Sequence, residues 1–244
     1  AGHGTWSFTT AVETGTSAAL IAHYTFDVED SGTTPDSVGT GNFATLGANN
    51  GIATGVTGQL GGGILEMTGG NGGGTITGDS YDWGSGARTI AFWWKDNVEA
   101  GNTPFGTYFD SGTAGGTSNP GLRFGLAERG ADPDLAVAVS GDSFETTASM
   151  DDGNWHFVVV TVPTAAQLRD VSVYTGVRGG SLTADLNTST STTTLNTSPS
   201  PLYFGGTFAG GGTNRVPNGY LDDFQLYDRV LTQEEILSLY QNPG

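Results

Sequence analysis

The chain has 244 residues, 36% of them hydrophobic, no cysteine and a formal net charge of −17. This length and apolar content suffice for a packed core without disulfides, and the acidic balance disfavours nucleic acid and anionic membranes, which bind basic patches. No apolar run approaches the ~20 residues of a membrane span, and the N-terminus lacks the pattern of a signal peptide, so we expect a mature or excised domain.

The first residues differ in character from the rest of the chain. Residues 5–10 alternate large apolar and polar side chains, as a strand does. A polar segment of small residues, typical of a linker, follows at 11–19. Because residues 5–10 resemble the last strand of immunoglobulin-like modules, we expect residues 1–18 to be the tail of a preceding module and a linker. The alternative is that Trp6 and Phe8 form an edge strand of the main domain.

From residue 19 onward, short apolar segments are separated by turn residues, in agreement with the 41 glycines and 9 prolines. Strands are predicted at residues 20–26, 43–46, 64–67, 75–77, 89–95, 107–109, 122–126, 135–139, 155–162, 171–174, 202–206 and around 222. Segment 155–162 is apolar at nearly every position, which indicates a strand covered on both faces. This many short strands with frequent turns predicts an all-β, two-sheet antiparallel sandwich.

The end of the chain predicts one short helix. Thr232 is a suitable N-cap, and Glu235 stands three residues on, where its side chain can bond back to the cap amide. Ile236, Leu239 and Tyr240 share one helical face. We expect this amphipathic helix to plug an open edge or end of the sandwich.

Two adjacent carboxylates precede that helix in the last predicted strand. Since successive side chains of a strand point to opposite faces, Asp222 and Asp223 are expected to have different roles. We expect Asp222 to face a partner that requires a carboxylate and Asp223 to face solvent.

Four stretches in this order resemble the laminin-G-like, concanavalin-A-like jelly-roll domains of secreted and surface proteins. They are AHYTFD at 22–27, RTIAFW at 88–93, DGNWHFVVVT at 152–161 and GYLDDFQLYDRVLTQEEI at 219–236. The resemblance covers about residues 19–244. It implies a jelly roll of two antiparallel sheets with a short C-terminal helix, usually as one module of a larger protein. Sugar binding, adhesion and a spacer role all occur among such domains.

A group of aspartates suggests a calcium site. Asp27 ends the first strand, Asp30 and Asp36 lie in the following loop, and Asp222 lies in the last strand. Ca²⁺ takes six to eight oxygens, and the glycine-rich loop 37–42 offers carbonyls. The resemblance implies neighbouring first and last strands and a structural Ca²⁺ held by aspartates matching Asp27 and Asp222. The alternative is that these acids are turn formers and surface solubilisers, since no EF-hand spacing is present.

Aromatic residues provide the candidate sugar site. Trp93 and Trp94 are adjacent on one strand, so one is expected in the core while the other faces a groove. There it would stack on a sugar, together with Trp83 or Tyr108. The alternative is that both tryptophans are core residues, as strand tryptophans usually are.

Catalytic motifs are weak. The chain has only His3, His23 and His156, and His156 is expected at the surface or an edge. The E-x-D-x-E strand signature of jelly-roll glucanases is absent, as are lyase strand motifs and a G-x-S-x-G elbow. We therefore expect a non-enzymatic, calcium-stabilised, monomeric module of a secreted or cell-surface protein, with a polysaccharide or glycan as partner. The alternatives are a structural or adhesive spacer and, less favoured, a polysaccharide-degrading lyase or glycoside hydrolase.

Overall fold

The computed structural model describes residues 20–38, 43–46, 50–71, 76–97, 107–113, 121, 123–129, 134–185, 187–205 and 215–243. The expected tail and linker at 1–18, with the alternative edge strand of Trp6 and Phe8, lie outside the described residues. None of the helices in the described ranges is long and apolar enough to cross a membrane.

Sixteen strands and one α-helix make up the described part of the chain. The strands are β1 (Leu20–Tyr24), β2 (Thr33–Pro35), β3 (Phe43–Thr45), β4 (Asn50–Ala53), β5 (Ile64–Asn71), β6 (Ile76–Tyr81), β7 (Arg88–Asp96), β8 (Thr107–Gly112), β9 (Arg123–Arg129), β10 (Asp134–Val139), β11 (Asp142–Ser149), β12 (Trp155–Val162), β13 (Ser172–Val177), β14 (Leu182–Asp185), β15 (Ser200–Phe204) and β16 (Arg215–Tyr227). A 3₁₀ turn spans Leu168–Asp170, and α1 spans Gln233–Gln241.

The strands form two antiparallel sheets that pack as a sandwich, which confirms the predicted fold class. Sheet A has the order β14-β13-β12-β7-β16-β5-β4, and β1 pairs with β16. Sheet B has the order β11-β10-β9-β8-β15-β6-β3-β2. The β1–β16 pairing also confirms that the first and last strands are neighbours.

Strand β7 shows how sheet A is covered on both faces. Ile90, Phe92 and Trp94 belong to the main core between the sheets. Ala91 and Trp93 point the other way, into a second apolar layer on the outer face of sheet A. That layer also contains Leu60, Ile64, Trp155, Phe157, Val159, Tyr227, Leu231, Ile236 and Tyr240. Two cores on one sheet explain why its central strands are apolar throughout.

Strand β12 is likewise covered on both faces. All its residues from Trp155 to Val162 are buried, as the sequence predicted. His156 lies in this central strand and is 5% exposed, so its expected place at the surface or an edge is wrong. Its Nε2 lies 2.7 Å from Asp152 Oδ1, and this contact gives the buried imidazole a polar partner.

Helix α1 has the predicted capping box. Thr232 Oγ1 accepts from the Glu235 amide at 3.3 Å, and Glu235 Oε2 accepts from the Thr232 amide at 2.8 Å. The ring of Tyr240 stacks on Trp93 with a centroid distance of 5.9 Å. The helix therefore covers the outer face of sheet A and does not plug an edge or end. The apolar outer sides of β7 and β12 require this cover.

Strand β16 changes partner halfway along its length. Its first half pairs with β5, as far as Leu221 opposite Leu65. Its second half pairs with β1, beginning with Phe224 opposite Tyr24. Because β7 pairs with the other side of β16 from Gly219 to Tyr227, β5 and β1 lie end to end. The chain leaving β1 and the chain entering β5 consequently meet beside Asp222.

Candidate functional site

A β-bulge marks the junction in β16. Asp222 pairs with Trp93 and Gln225 with Ala91, so three steps along β16 match two along β7. Asp223 supplies the extra residue and has a left-handed φ of +49°. A bulge of this kind breaks the alternation of side chains. The sequence-based expectation that the two aspartates face opposite sides is therefore wrong.

Asp223 is 3% exposed and so does not face solvent, contrary to the expectation. Its carboxylate lies 2.6 Å from His23 Nε2 and accepts from Gln225 Nε2 at 3.0 Å. Tyr227 Oη donates in turn to Gln225 Oε1 at 2.5 Å. Burial is the main cause that raises the pKa of Tyr227. This chain of polar side chains ties β1 to β16, and only the unusual Gln225 between apolar neighbours hints at it in the sequence.

Asp222 is the most deeply buried acid of the junction, with 1% of its surface exposed. Its Oδ2 accepts from the amide of Leu60 at 2.9 Å, and its Oδ1 accepts from the amide of Asp223 at 2.8 Å. Burial raises the pKa of Asp222 to about 8, and the charges of Asp223 and Asp27 add to the increase. The two amide bonds oppose this shift without cancelling it.

Asp27 approaches the same segment from β1. Its Oδ1 accepts from the amides of Gly62 and Gly63, the latter at 3.0 Å. A Cβ on Gly61 would lie 2.3 Å from that oxygen, and Gly61 has a φ of +58°. Glycine is therefore required where the backbone wraps around the Asp27 carboxylate.

We call residues 54–63, which join β4 to β5, the strap. Its carbonyls are bound at the end opposite the carboxylates. Lys95 Nζ and Trp155 Nε1 donate to the carbonyl of Thr57 at 3.3 and 3.1 Å, and Arg178 Nη1 donates to that of Gly58. Cationic and indole donors thus hold one end of the strap, and carboxylates hold the other. The strap is fixed in this way over the outer face of sheet A.

The four aspartates predicted to bind metal do not all meet. Asp27 and Asp222 bind the same segment of the strap, as described above. Asp36 is buried near β1, where its Oδ1 accepts two backbone amides, including that of His23 at 2.8 Å. Asp30 is exposed in the turn before β2. Among the described residues, no group of three His, Cys, Asp or Glu side chains has the arrangement of a metal site.

All four aromatic residues predicted to bind sugar are buried. The rings of Trp94 and Tyr108 contact each other between the sheets, tilted by 50° with a centroid distance of 4.6 Å. Trp83 also belongs to the main core. These three offer no open ring face for stacking on a sugar, because all of them are buried in the main core. Trp93 is 1% exposed, under α1, yet it also borders a surface cavity.

That cavity, which we call the outer-face cavity, lies at the C-terminal end of α1 and has a volume of about 430 Å³. It is lined by Trp93, Arg178, Gly179, Gly180, Tyr240, Gln241 and Pro243. The Trp93 Nε1 has no hydrogen-bond partner in the described part of the chain. The lining combines aromatic residues with a few polar groups, and the volume lies within the roughly 300–1,000 Å³ of typical ligand sites. The cavity therefore suits a small polar ligand.

A second groove lies beside the N-terminal half of α1. It measures about 230 Å³ and is lined by Tyr174, Leu182, Thr183, Ala184, Gln233, Ile236 and Leu237. It is smaller and has no charged side chain among these residues. The outer-face cavity is therefore the stronger candidate for binding a polar ligand.

These observations define a jelly-roll-type β-sandwich with two apolar cores and a cavity on the outer face of one sheet. The sequence model of the concanavalin A-like lectin/glucanases superfamily matches residues 68–237. The chain belongs to this superfamily, as the four sequence stretches indicated. A search of curated protein sequences found no match.

Solved structures share the fold at low sequence identity. The binding domain of botulinum neurotoxin DC, in complex with rat synaptotagmin II, is 15% identical with a TM-score of 0.62, covering 93% of this chain and 52% of that one. Botulinum neurotoxin type C, whose cell entry depends on interaction with two ganglioside molecules, is 14% identical with a TM-score of 0.60, covering 92% and 51%. Trypanosoma rangeli sialidase, in complex with 2,3-difluorosialic acid, is 17% identical with a TM-score of 0.63, covering 91% and 33%. The chain thus spans about half of the toxin structures and a third of the sialidase.

Proposed function

We propose that the chain is a non-catalytic carbohydrate-binding module and that the outer-face cavity holds a sugar. The observation that carries the proposal is a cavity in which the polar side chains of Arg178 and Gln241 lie beside the largely buried rings of Trp93 and Tyr240. Aromatic rings suit the apolar faces of a pyranose, and guanidinium and amide groups bond to its hydroxyls. Superfamily membership supports this, as do the glycan ligands of the neurotoxin and sialidase neighbours.

The lining of the cavity distinguishes this proposal from the alternatives. None of the seven lining residues carries a carboxylate, whereas glycoside hydrolysis ordinarily uses a pair of them. A spacer domain would need no cavity with polar and aromatic walls. We propose that the module belongs to a secreted or cell-surface protein, beside other domains and as a monomer, in keeping with its formal net charge of −17.

The test is glycan binding by variants of the cavity rim. The wild-type domain is screened on a glycan array. The affinity for each hit is then measured by calorimetry for the wild-type domain and for the double variant Gln241→Ala/Pro243→Ala. We expect at least a tenfold loss of affinity in the double variant, with an unchanged melting temperature. Gln233→Ala, in the second groove, is the matched control. Retained affinity in the double variant, or loss in the control alone, would move the site elsewhere.

We also propose that Asp27 and Asp222 hold a structural Ca²⁺. Both carboxylates lie at the strap, and no described cationic side chain pairs with either of them. Asp27 uses only Oδ1 to accept its two amide hydrogen bonds. Its Oδ2 is therefore left to serve as a metal ligand. A hard cation would favour the ionised form of both carboxyls, with backbone carbonyls and water completing its oxygen ligands.

Thermal melting in Ca²⁺ and in EDTA tests this second proposal. A ligand at a hundred times its Kd stabilises the folded state by about 2.7 kcal/mol, which raises the Tm of a domain this size by roughly 5–10 °C. Asp27→Asn should remove that increase, and Asp30→Asn should keep it. Equal melting temperatures for the wild-type domain in the two buffers would refute calcium binding.

A further inference from the structure

We infer that the outer-face cavity recognises a sugar that bears a carboxylate, such as a sialic or uronic acid, through Arg178. This inference rests on the proposed carbohydrate-binding function and specifies its ligand class. It follows from the distribution of charge, from the way Arg178 is held, and from the balance between its charge and the negative charges of the molecule.

Free positive charge is scarce on this protein, which has eight Lys and Arg residues against 25 Asp and Glu. Most surface cations whose side chains the structure describes are neutralised by carboxylates. These pairs are Arg123 with Asp110, Arg169 with Asp170 and Arg229 with Glu235. Arg178 and Lys95 have no such pair in the described ranges. Of these two, only Arg178 lines the cavity, and none of the other lining residues is charged.

The guanidinium of Arg178 is positioned in advance of any ligand. The backbone amide of Arg178 donates to the carbonyl of Trp155 at 2.8 Å, which places the residue at the end of β13. Its Nη1 donates to the carbonyl of Gly58 in the strap. That bond uses one of five N–H donors and leaves others for a planar acceptor. A held guanidinium fork matches a carboxylate in two parallel hydrogen bonds.

Two features oppose an anionic ligand, and both are weaker than the guanidinium charge at contact distance. The cavity lies at the C-terminal end of α1, whose dipole places about half a negative charge there, and no basic residue stands in the last turn. The net charge of −17 repels anions at long range, but physiological salt screens that repulsion beyond about 8 Å. A carboxylate bonded to Arg178 meets a full opposite charge at hydrogen-bond distance.

The test uses matched acidic and neutral ligands. Affinities are measured for a galacturonate oligomer and its methyl ester, and for sialyllactose and lactose. We expect at least one acid to bind about tenfold or more tightly than its neutral counterpart, as a charge-assisted pair allows. Raising the salt concentration should weaken the binding of the acidic sugar and leave the affinity for the neutral sugar unchanged.

Three variants separate recognition from structural support. Arg178→Gln should bring the ratio of acid to neutral affinity close to one, and Arg178→Lys should keep part of the preference. Lys95→Gln removes the other cation that has no carboxylate partner in the described ranges, and it should change neither affinity. Melting temperatures show whether the loss of the bond to Gly58 destabilises the fold.

The outcomes of the two proposals are distinguishable. Binding of neutral sugars as tightly as acidic ones, or an equal loss for both in Arg178→Gln, would overturn the inference and leave the carbohydrate function standing. No binding of any glycan by the wild-type domain would overturn both.

Discussion

Asp222 and Asp27 accept hydrogen bonds from the two ends of one four-residue segment, Leu60 to Gly63. The segment lies between strands β5 and β1 where these meet along β16. Three parts of the chain that are far apart in sequence are thereby joined by two carboxylates.

Removal of the Asp222 carboxylate should destabilise the fold. In Asp222→Ala the amides of Leu60 and Asp223 lose their acceptor in a buried place, and each unpaired group costs about 1–3 kcal/mol. We expect a loss of roughly 2–4 kcal/mol in the free energy of unfolding, measured in urea with an unchanged m-value. Asp222→Asn keeps one acceptor oxygen and should lose about half as much. An unchanged free energy of unfolding in Asp222→Ala would show that the strap is held without these bonds.

Two glycines of the strap provide a matched pair. Gly61 and Gly55 both have positive φ, but a Cβ on Gly61 would collide with Asp27, whereas a Cβ on Gly55 would meet nothing within 4 Å. Gly55→Ala should cost about 1 kcal/mol from backbone strain alone. Gly61→Ala should cost more, because the Asp27 carboxylate must also move. Equal shifts of the unfolding midpoint in the two variants would contradict the contact.

Asp110 should make stability depend on pH. Burial raises the pKa of Asp110 to about 6, although Arg123 lowers it. The unfolded chain releases this proton near pH 4, before the folded protein does, so stability falls as pH rises from about 4 to 6. The expected decline is on the order of 2–3 kcal/mol, from 1.36 kcal/mol per pKa unit.

The measurement compares unfolding free energies of the wild-type domain and Asp110→Asn between pH 4 and 7. The variant should show a shallower decline. Asp96, whose pKa burial also raises to about 6, contributes in both proteins and cancels in the comparison. Asp30→Asn, an exposed change, should leave the slope as in the wild-type domain. Parallel curves for the wild-type domain and Asp110→Asn would count against this prediction.

The N-cap of α1 should stabilise the helix that covers the second apolar layer on the outer face of sheet A. Thr232→Ala removes the acceptor for the Glu235 amide and should cost about 1 kcal/mol. Thr232→Ser retains the hydroxyl and is the control. Hydrogen exchange of the α1 amides should accelerate in the alanine variant and stay unchanged in the serine variant. Unchanged exchange in both would show that packing of Ile236 and Tyr240 alone holds the helix.

Local patterns predicted much of the fold from the sequence. The apolar run at 155–162 identified a strand covered on both faces, and Thr232 with Glu235 identified the helix start. The neighbouring first and last strands followed from resemblance to known domains. These features depend on residues close in sequence or on a shared topology.

The candidate site was harder to predict, since its geometry depends on tertiary contacts. The bulge at Asp223 reverses the expected orientation of one side chain, and no local signal distinguishes Asp223 from an ordinary strand residue. The strap is a glycine-rich loop in the sequence, and only the fold brings Asp27 and Asp222 to its amides. Arg178 follows an ordinary strand, so its place in the cavity wall depends on the position of α1.

The placement of β16 between β5 and β7 has a consequence for folding order. Hydrogen bonds of its bulge reach Leu60, 162 residues earlier, and His23, 200 residues earlier. Until β16 has been synthesised, β5 and β7 lack their shared neighbour and remain open edges that favour aggregation. Sheet A therefore closes late, and such long-range closure makes folding slow. Pulsed hydrogen exchange should find the β12–β13 hairpin protected before β16, and the reverse order would contradict late closure.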